Sequence, residues 1–356
     1  MERYARELSG ALAERLGAGS VALEHPVACR GLAALMDVPR ARWIDRAWSR
    51  YVTYPATLRH RRADVFHILD QAYAHLIRRL DAEHTVVTCH DLIPLLAADG
   101  VVPVQVPRLV VRTFRWRVHQ MAAARKVIAV SRATQEALAR YTPVRPDRIA
   151  VVPQGVNRTF RVLEGRKPAL RAARDLPAAA AVLLHVATRD RYKNTPVLLQ
   201  ALAGLRRLHG KDIILARVGA PLHPDEADLA RRLGVGDAVR YAGFVDEESL
   251  VEWYNAADVF VFPSSWEGFG WPPLEAMACG TPVVASDVPA LTEVVGDAGL
   301  LVPSTDPSAV ADAVERVLTD RALADSLRQR GRARAARFTW EQTAAATAAV
   351  YQELLQ

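Results

Sequence analysis

Ala257-Asp258-Val259-Phe260-Val261-Phe262-Pro263-Ser264-Ser265-Trp266-Glu267-Gly268-Phe269-Gly270-Trp271-Pro272-Pro273-Leu274-Glu275-Ala276-Met277-Ala278-Cys279-Gly280-Thr281-Pro282-Val283-Val284-Ala285 reads as strand, glycine loop, short helix and strand. Pro272 and Pro273 suit the first turn of a helix, where an N–H is not needed, and Gly280 suits its end. In an open α/β sheet such a loop lies at the carboxyl end of its strand, where ligands bind. Gly268 and Gly270 then let backbone approach a ligand, and the free N–H groups at the helix start favour an anion such as a diphosphate. Glu267 and Glu275 can reach opposite ends of one polyhydroxylated ligand. A capped helix with a solvated glutamate at each end would need only some of these residues.

Outward from this string, short Val/Ile-rich runs alternate with helix-periodic stretches, the pattern of parallel sheets with crossover helices. The fold class is α/β. In the first half the pattern predicts a helix over Arg3–Leu16 and strands near Val65–Ile68, Thr85–Cys89, Lys126–Val130 and Ile149–Val152. The second half carries strands near Ala181–Val186, Ile213–Val218, Val239–Ala242, Val259–Phe262, Pro282–Ala285 and Gly299–Val302. Asn157 to about Ala180 is polar, basic and without a strong period, and reads as a linker with a lead-in. The division expected is residues 1–160, residues 161–337 and a terminal helix within 338–356 that must pack on something. The start is unusual, because a doubly wound sheet normally opens with a strand and a glycine turn, whereas Met1 leads straight into a helix. Either Val21–Leu23 supplies an early strand or the first strand of the sheet is missing.

The chain has 356 residues, enough for two domains, with 51% hydrophobic and 24% charged residues, which excludes global disorder. Residues 1–160 hold 24 lysines and arginines against 14 acids, a net +10, while residues 161–356 hold 22 against 25, a net −3. A basic half suits nucleic acid, an anionic membrane or an acidic substrate, but no zinc-finger, basic-zipper or RNA-binding signature accompanies it. Arginine-rich coding alone gives the same bias. Cys29, Cys89 and Cys279 are too few and too scattered for a disulfide framework or a clustered zinc site, which suits a reducing cytosol. No apolar run reaches the roughly 18 residues that span a bilayer, and Met1-Glu2-Arg3-Tyr4 does not open a signal peptide.

The string around Glu267-Gly268-Phe269-Gly270 and Glu275-Ala276-Met277-Ala278-Cys279-Gly280-Thr281-Pro282 resembles the paired-glutamate motif of the retaining glycosyltransferases of family 4, in the GT-B superfamily. His90-Asp91-Leu92-Ile93-Pro94, Val130-Ser131, Val152-Pro153-Gln154-Gly155-Val156, Lys193-Asn194, Gly243-Phe244-Val245, and Phe338-Thr339-Trp340 with Tyr351 follow in that family's order. The resemblance covers nearly the whole chain. It implies two Rossmann-like domains facing across a cleft, a nucleotide-sugar donor held mainly by the second, and a last helix crossing back to the first. It further implies transfer of a sugar to a hydroxyl of a saccharide or lipid-linked acceptor with retained anomeric configuration. Members that move mannose from GDP-mannose look most similar, although related sequences use UDP- or dTDP-sugars.

Carried over residue by residue, the resemblance makes Lys193 the cation for the leaving diphosphate. The family also supplies an arginine; Tyr192 stands immediately before Lys193, so Arg189 or Arg191 must serve by a shift, and Arg189 is preferred. Glu267 contacts sugar hydroxyls and Glu275 the ribose; Gly268, Phe269 and Gly270 offer N–H groups; Phe244 and Val245 mark the base position. His90 faces the cleft from the first domain as the group that orients a hydroxyl and shuttles a proton, with Asp91 orienting it or capping the turn. No Asp-x-Asp occurs, so no metal or other cofactor is implied, and cationic side chains must stabilise the leaving group.

On the acceptor side, Arg108, Arg112 and Arg115 fall at i, i+4 and i+7 in a stretch that also holds Arg117, Arg125 and Lys126, interrupted by Phe114 and Trp116. Either this is a core helix with a solvated basic face, or it docks peripherally on an anionic membrane at the cytoplasmic leaflet. A catalytically impaired nucleotide-sugar-binding paralogue is the alternative to an enzyme, and nucleic-acid binding rests on charge alone.

Overall fold

The computed structural model describes residues 2–25, 44–45, 47–209 and 212–356. Cys29 lies outside the described residues. The first sheet holds β1 (Phe66–Ile68), β2 (Thr85–Cys89), β3 (Lys126–Ala129) and β4 (Ile149–Val151), all parallel and in chain order. The second holds β5 (Ala181–Ala187), β6 (Ile213–Gly219), β7 (Val239–Gly243), β8 (Val259–Phe262), β9 (Val283–Ser286) and β10 (Leu300–Val302). Its order is β10-β9-β8-β5-β6-β7, also parallel, so the direction of winding reverses between β5 and β8. The crevice outside the carboxyl ends of the two strands at such a reversal is where an open α/β sheet binds ligands. All ten strands fall where the Val/Ile runs place them.

Both sheets are buried on two faces, as parallel strands require. In the first, Val87, Cys89, Val127 and Ala129 pack with Phe114, Val118, Met121 and Leu138 on one side. The alternate residues Val86, Ile128 and Val152 face Val350 and Leu354 of the last helix, Trp340–Leu354. That helix also packs on the first one, Glu2–Leu16, through Tyr4, Leu8 and Leu12 against Trp340, Ala344 and Ala348. Spacing of four residues on both partners brings the two stripes together. Each leucine so covered contributes about 1.5–3 kcal/mol.

Two expectations need correction. Val21–Leu23 forms no strand: Leu23 is exposed, the next residue Glu24 pairs outward with Arg61 at 2.8 Å, and no sheet edge receives the segment. Asn157 to Ala180 is more than a linker. Phe160, Leu170 and Leu176 enter the core of the second sheet, a helix spans Lys167–Ala172, and Lys167 and Arg171 both pair with Asp258 just before β8.

Candidate active site

The loops after β5 and β8 meet at the reversal. Lys193 ends a short turn, Arg191–Lys193, and Asn194 follows in the left-handed conformation at φ 57°. The Asn194 side-chain amide donates to the carbonyls of Pro263 and Ser304 at 3.2 and 2.5 Å, and Ser265 N–H donates to Tyr192 O at 2.7 Å. These bonds lock one loop onto the other, and they bring Lys193 Nζ to 2.7 Å from Glu267 Oε1. Both side chains are about nine-tenths buried. The ammonium also lies over the rings of Tyr192 and Phe262, at 5.0 and 4.9 Å. Burial, together with the Glu267 charge, pushes the Tyr192 phenol far up, so it stays neutral.

Gly268 and Gly270 serve neighbours within the protein. A side-chain carbon on Gly268 would overlap the His90 carbonyl oxygen of the first domain, and one on Gly270, at φ 128°, would meet Leu291 at 2.8 Å. Glycine at 268 therefore lets the two domains touch, a reason different from ligand approach. Phe269 is buried and stacks edge-on with Phe338, which leaves only its backbone for a ligand. Glu275, on the helix Trp271–Ala278, has both carboxylate oxygens engaged: Arg3 Nη1 donates to one at 2.6 Å and Tyr254 Oη to the other at 2.9 Å. The Arg3 guanidinium sits between the rings of Phe160 and Trp271, at 4.9 and 5.1 Å, with Glu247 3.3 Å from its Nε. A ribose diol reaches Glu275 only by sharing it with Arg3. Phe244 follows β7 and is 79% exposed, while Val245 packs against the core.

Of the two arginines weighed for the diphosphate, Arg191 is turned outward in a two-bond pair with Asp225 at 2.6 and 3.0 Å. Arg189 is exposed, and its carbonyl is bonded to His223 at 2.6 Å. A third arginine escaped the sequence reading. Arg217, at the carboxyl end of β6, is fully buried and donates to Ala220 O at 2.7 Å, Thr195 Oγ1 at 3.3 Å and Thr188 O at 3.4 Å. It thereby ties the loops after β5 and β6 together. Nothing in its local sequence, Leu215-Ala216-Arg217-Val218, marks a charge as functional.

Across the cleft, His90 follows β2 with both ring nitrogens engaged, Nε2 with Leu69 O at 2.9 Å and Nδ1 with the Gln154 amide at 3.0 Å. The carbonyl takes the Nε2 proton, so Nδ1 accepts. Burial holds this imidazole below its usual pKa and therefore neutral. Tyr4 packs edge-on against it at 4.7 Å, and Tyr4 Oη lies 3.3 Å from Thr88 Oγ1. His67 bridges Thr88 and Tyr351 at 2.7 and 2.6 Å, and burial lowers its pKa to about 3. Tyr351 is thus the anchor of the crossing helix. Asp91 Oδ1 caps Ile93 N–H at 3.2 Å; burial, then the charges of Asp70 and Glu267, raises its pKa to about 6. Arg112 and Arg115 lie on the helix Arg108–His119 with Arg108, all exposed; Phe114 is buried and Trp116 is 42% exposed. Arg125 and Lys126 fall outside that helix.

Two parallel α/β domains closed over a buried lysine–glutamate pair at a strand reversal define a GT-B fold. The chain belongs to the group 1 glycosyl transferases: the family described as Glycosyl transferases group 1 matches residues 166–334, and Glycosyltransferase Family 4 matches residues 1–160. Among curated relatives, D-inositol 3-phosphate glycosyltransferase 2 of Catenulispora acidiphila is 40% identical over 246 residues, 66% of this chain and 57% of that protein. The chain thus spans less than two thirds of that relative's length. Sucrose-phosphate synthase from Thermosynechococcus elongatus superposes with a TM-score of 0.77 at 25% identity, covering 99% of this chain and 92% of that one. HepE from Anabaena, solved with UDP and glucose, shares the fold at TM-score 0.67 and 20% identity, over 91% and 83% of the two chains.

Proposed function

We propose that the protein is a retaining glycosyltransferase that moves a sugar from a nucleotide-sugar donor to an acceptor hydroxyl without a bound metal. The observation that carries this is the Lys193–Glu267 pair, buried at the sheet reversal, 2.7 Å apart and facing the first domain. On donor binding the ammonium is drawn to the diphosphate as a point charge, and the released carboxylate accepts bonds from sugar hydroxyls. Charge developing on the leaving group is then met by a cation already in place. His90, as the neutral Nε2–H tautomer, orients the reacting hydroxyls after giving up one of its two protein bonds.

GDP-mannose is the first donor to test, on the motif's likeness to mannosyl-transferring members. UDP-sugars follow, because HepE of the same fold was solved with UDP and glucose. For the acceptor, the curated relatives are named for D-inositol 3-phosphate, which suggests a phosphorylated polyol or saccharide. A lipid-linked acceptor at an anionic membrane is favoured by a different observation: Leu109, Val110 and Trp116 are exposed beside Arg108, Arg112 and Arg115 on one helix. No helix among the described residues is long and apolar enough to cross a membrane.

A thermal-shift panel of GDP, UDP, ADP and dTDP identifies the nucleotide, since a ligand bound to the native state stabilises it by mass action. Turnover of the matching sugar donor, with the product's anomeric configuration read by NMR, tests the reaction. Activity is expected to survive exhaustive EDTA; strict dependence on added manganese would refute the metal-independent reading, and nucleotide binding without turnover would favour the binding paralogue.

A further inference from the structure

Ser131 and Thr134 stand at the start of the helix Arg132–Tyr141 in the first domain. Ser131 is its N-cap, accepting from Thr134 N–H at 3.0 Å. A cap needs only the oxygen, which leaves the hydroxyl proton free to go elsewhere. Its nearest acceptor is the carbonyl oxygen of Gly268, 2.7 Å away and 137 residues along the chain, against 3.2 Å to Thr134 Oγ1. Thr134 Oγ1 lies 3.1 Å from the same oxygen, nearer than its other acceptor, His90 O, at 3.4 Å. Both side chains are at least 97% buried. A third bond crosses beside them, Arg132 N–H to Glu293 Oε2 at 2.8 Å, where a carboxylate favours the helix N-terminus.

The loop so held is the one that carries Glu267. In a trans peptide the carbonyl and the next N–H lie in one plane and point opposite ways. Two hydroxyls on Gly268 O therefore fix the direction of the Phe269 N–H as well, and they do so only when the domains are closed. On the second-domain side Lys193 holds Glu267, so the loop is gripped from both walls of the cleft. The overlap that any side chain at 268 would make with His90 O belongs to the same contact.

We propose that Ser131 and Thr134 are positioning residues that read domain closure, setting the 267–269 loop in its reacting form through the Gly268 carbonyl. The catalytic part of this inference rests on the glycosyltransferase reading; the holding part does not. Two variants remove the donated protons: Thr134→Val is isosteric, and Ser131→Gly deletes the hydroxyl at an N-cap, where glycine is the mildest replacement. Hydrogen exchange of peptides covering residues 263–270 is read in wild type and variants, alongside kcat, donor KM, nucleotide Kd and Tm.

The expected result is about tenfold faster exchange in that loop and a kcat lowered about 10- to 100-fold. Nucleotide Kd stays within about twofold, because the second domain holds the nucleotide, and Thr134→Ser, which restores the hydroxyl, returns kcat toward wild type. Unchanged exchange in the loop overturns the proposal whatever the activity. So does wild-type kcat in both variants, or a loss of kcat that only tracks a fall in Tm and nucleotide affinity. A wild-type protein inactive on every donor would refute the transferase reading, and the exchange measurement would still decide whether the hydroxyls hold the loop.

Discussion

In the second sheet the loops after β5 and β8 meet around a buried ion pair, while in the first sheet the strands run in chain order and the loop after β2 turns His90 inward. Both sheets are parallel, and both are buried on two faces. The difference lies in topology: a reversal of strand order opens a crevice, and an unreversed sheet offers only a wall. The polar groups of the second domain are held by other charged side chains, Lys193 by Glu267 and Glu275 by Arg3, whereas those of the first are held by Leu69, Gln154 and the Ile93 backbone. What the first domain adds is contact, through Arg3, Ser131 and the His90 carbonyl.

If the second domain holds the chemistry, Glu267→Ala or Lys193→Ala lowers kcat about 10³-fold, measured with the donor found in the nucleotide panel. Each change also strands its partner's buried charge and costs about 3 kcal/mol of stability in denaturant titration. Wild-type kinetics in either variant would remove the site from this crevice. If the first domain acts by contact, Gly268→Ala blocks closure and lowers kcat about 100-fold, with nucleotide Kd by calorimetry nearly unchanged. Equal losses in Kd and kcat would mean that 268 touches the ligand after all.

A smaller effect separates the two walls electrostatically. The pKa of Asp91 is raised to about 6 in the native protein, so the folded state binds more protons than the unfolded chain above the ordinary carboxylate pKa. Stability held at low pH is lost as pH rises through about 6. Asp91→Asn, which keeps an oxygen for the Ile93 cap, should gain about 2–3 kcal/mol at pH 8 and nothing near pH 3. A gain independent of pH would assign the effect to packing. Least of all, Arg112→Glu with Arg115→Glu should alter stability by under about 0.5 kcal/mol, since both side chains are exposed. If the helix docks on membranes, the pair abolishes co-sedimentation with anionic vesicles at low salt, each arginine having contributed about 1 kcal/mol. Equal binding before and after would leave a soluble acceptor.

Strands were legible because burial on two faces demands unbroken apolar runs, and Ala181–Ala187 or Val259–Phe262 carry only apolar residues apart from His185. Lys193 and Glu267 were singled out by the family motif and by their places after two predicted strands, and folding brings the two side chains within 2.7 Å. Asn157 to Ala180 was not, since a six-residue helix shows too little period, and Phe160, Leu170 and Leu176 are diluted by arginine and alanine. Arg217 and Arg3 were missed for another reason: a charge inside an apolar strand or a first helix carries no local mark of the partners that folding brings to it. The reason for Gly268 is likewise visible only when the opposing carbonyl is in place.

The crossing of the last helix bears on the order in which the molecule is assembled. Val86, Ile128 and Val152 belong to the first half of the chain, yet Val350 and Leu354, which cover them, are made only after the whole second sheet. The second sheet has its strands by Val302 and its remaining core residues by Ala335, before the crossing helix begins. The first must wait with one apolar face bare, so during synthesis the later domain matures before the earlier one. A chain halted before Trp340 would carry that sticky face throughout its life, and aggregation rather than weak catalysis would be its phenotype.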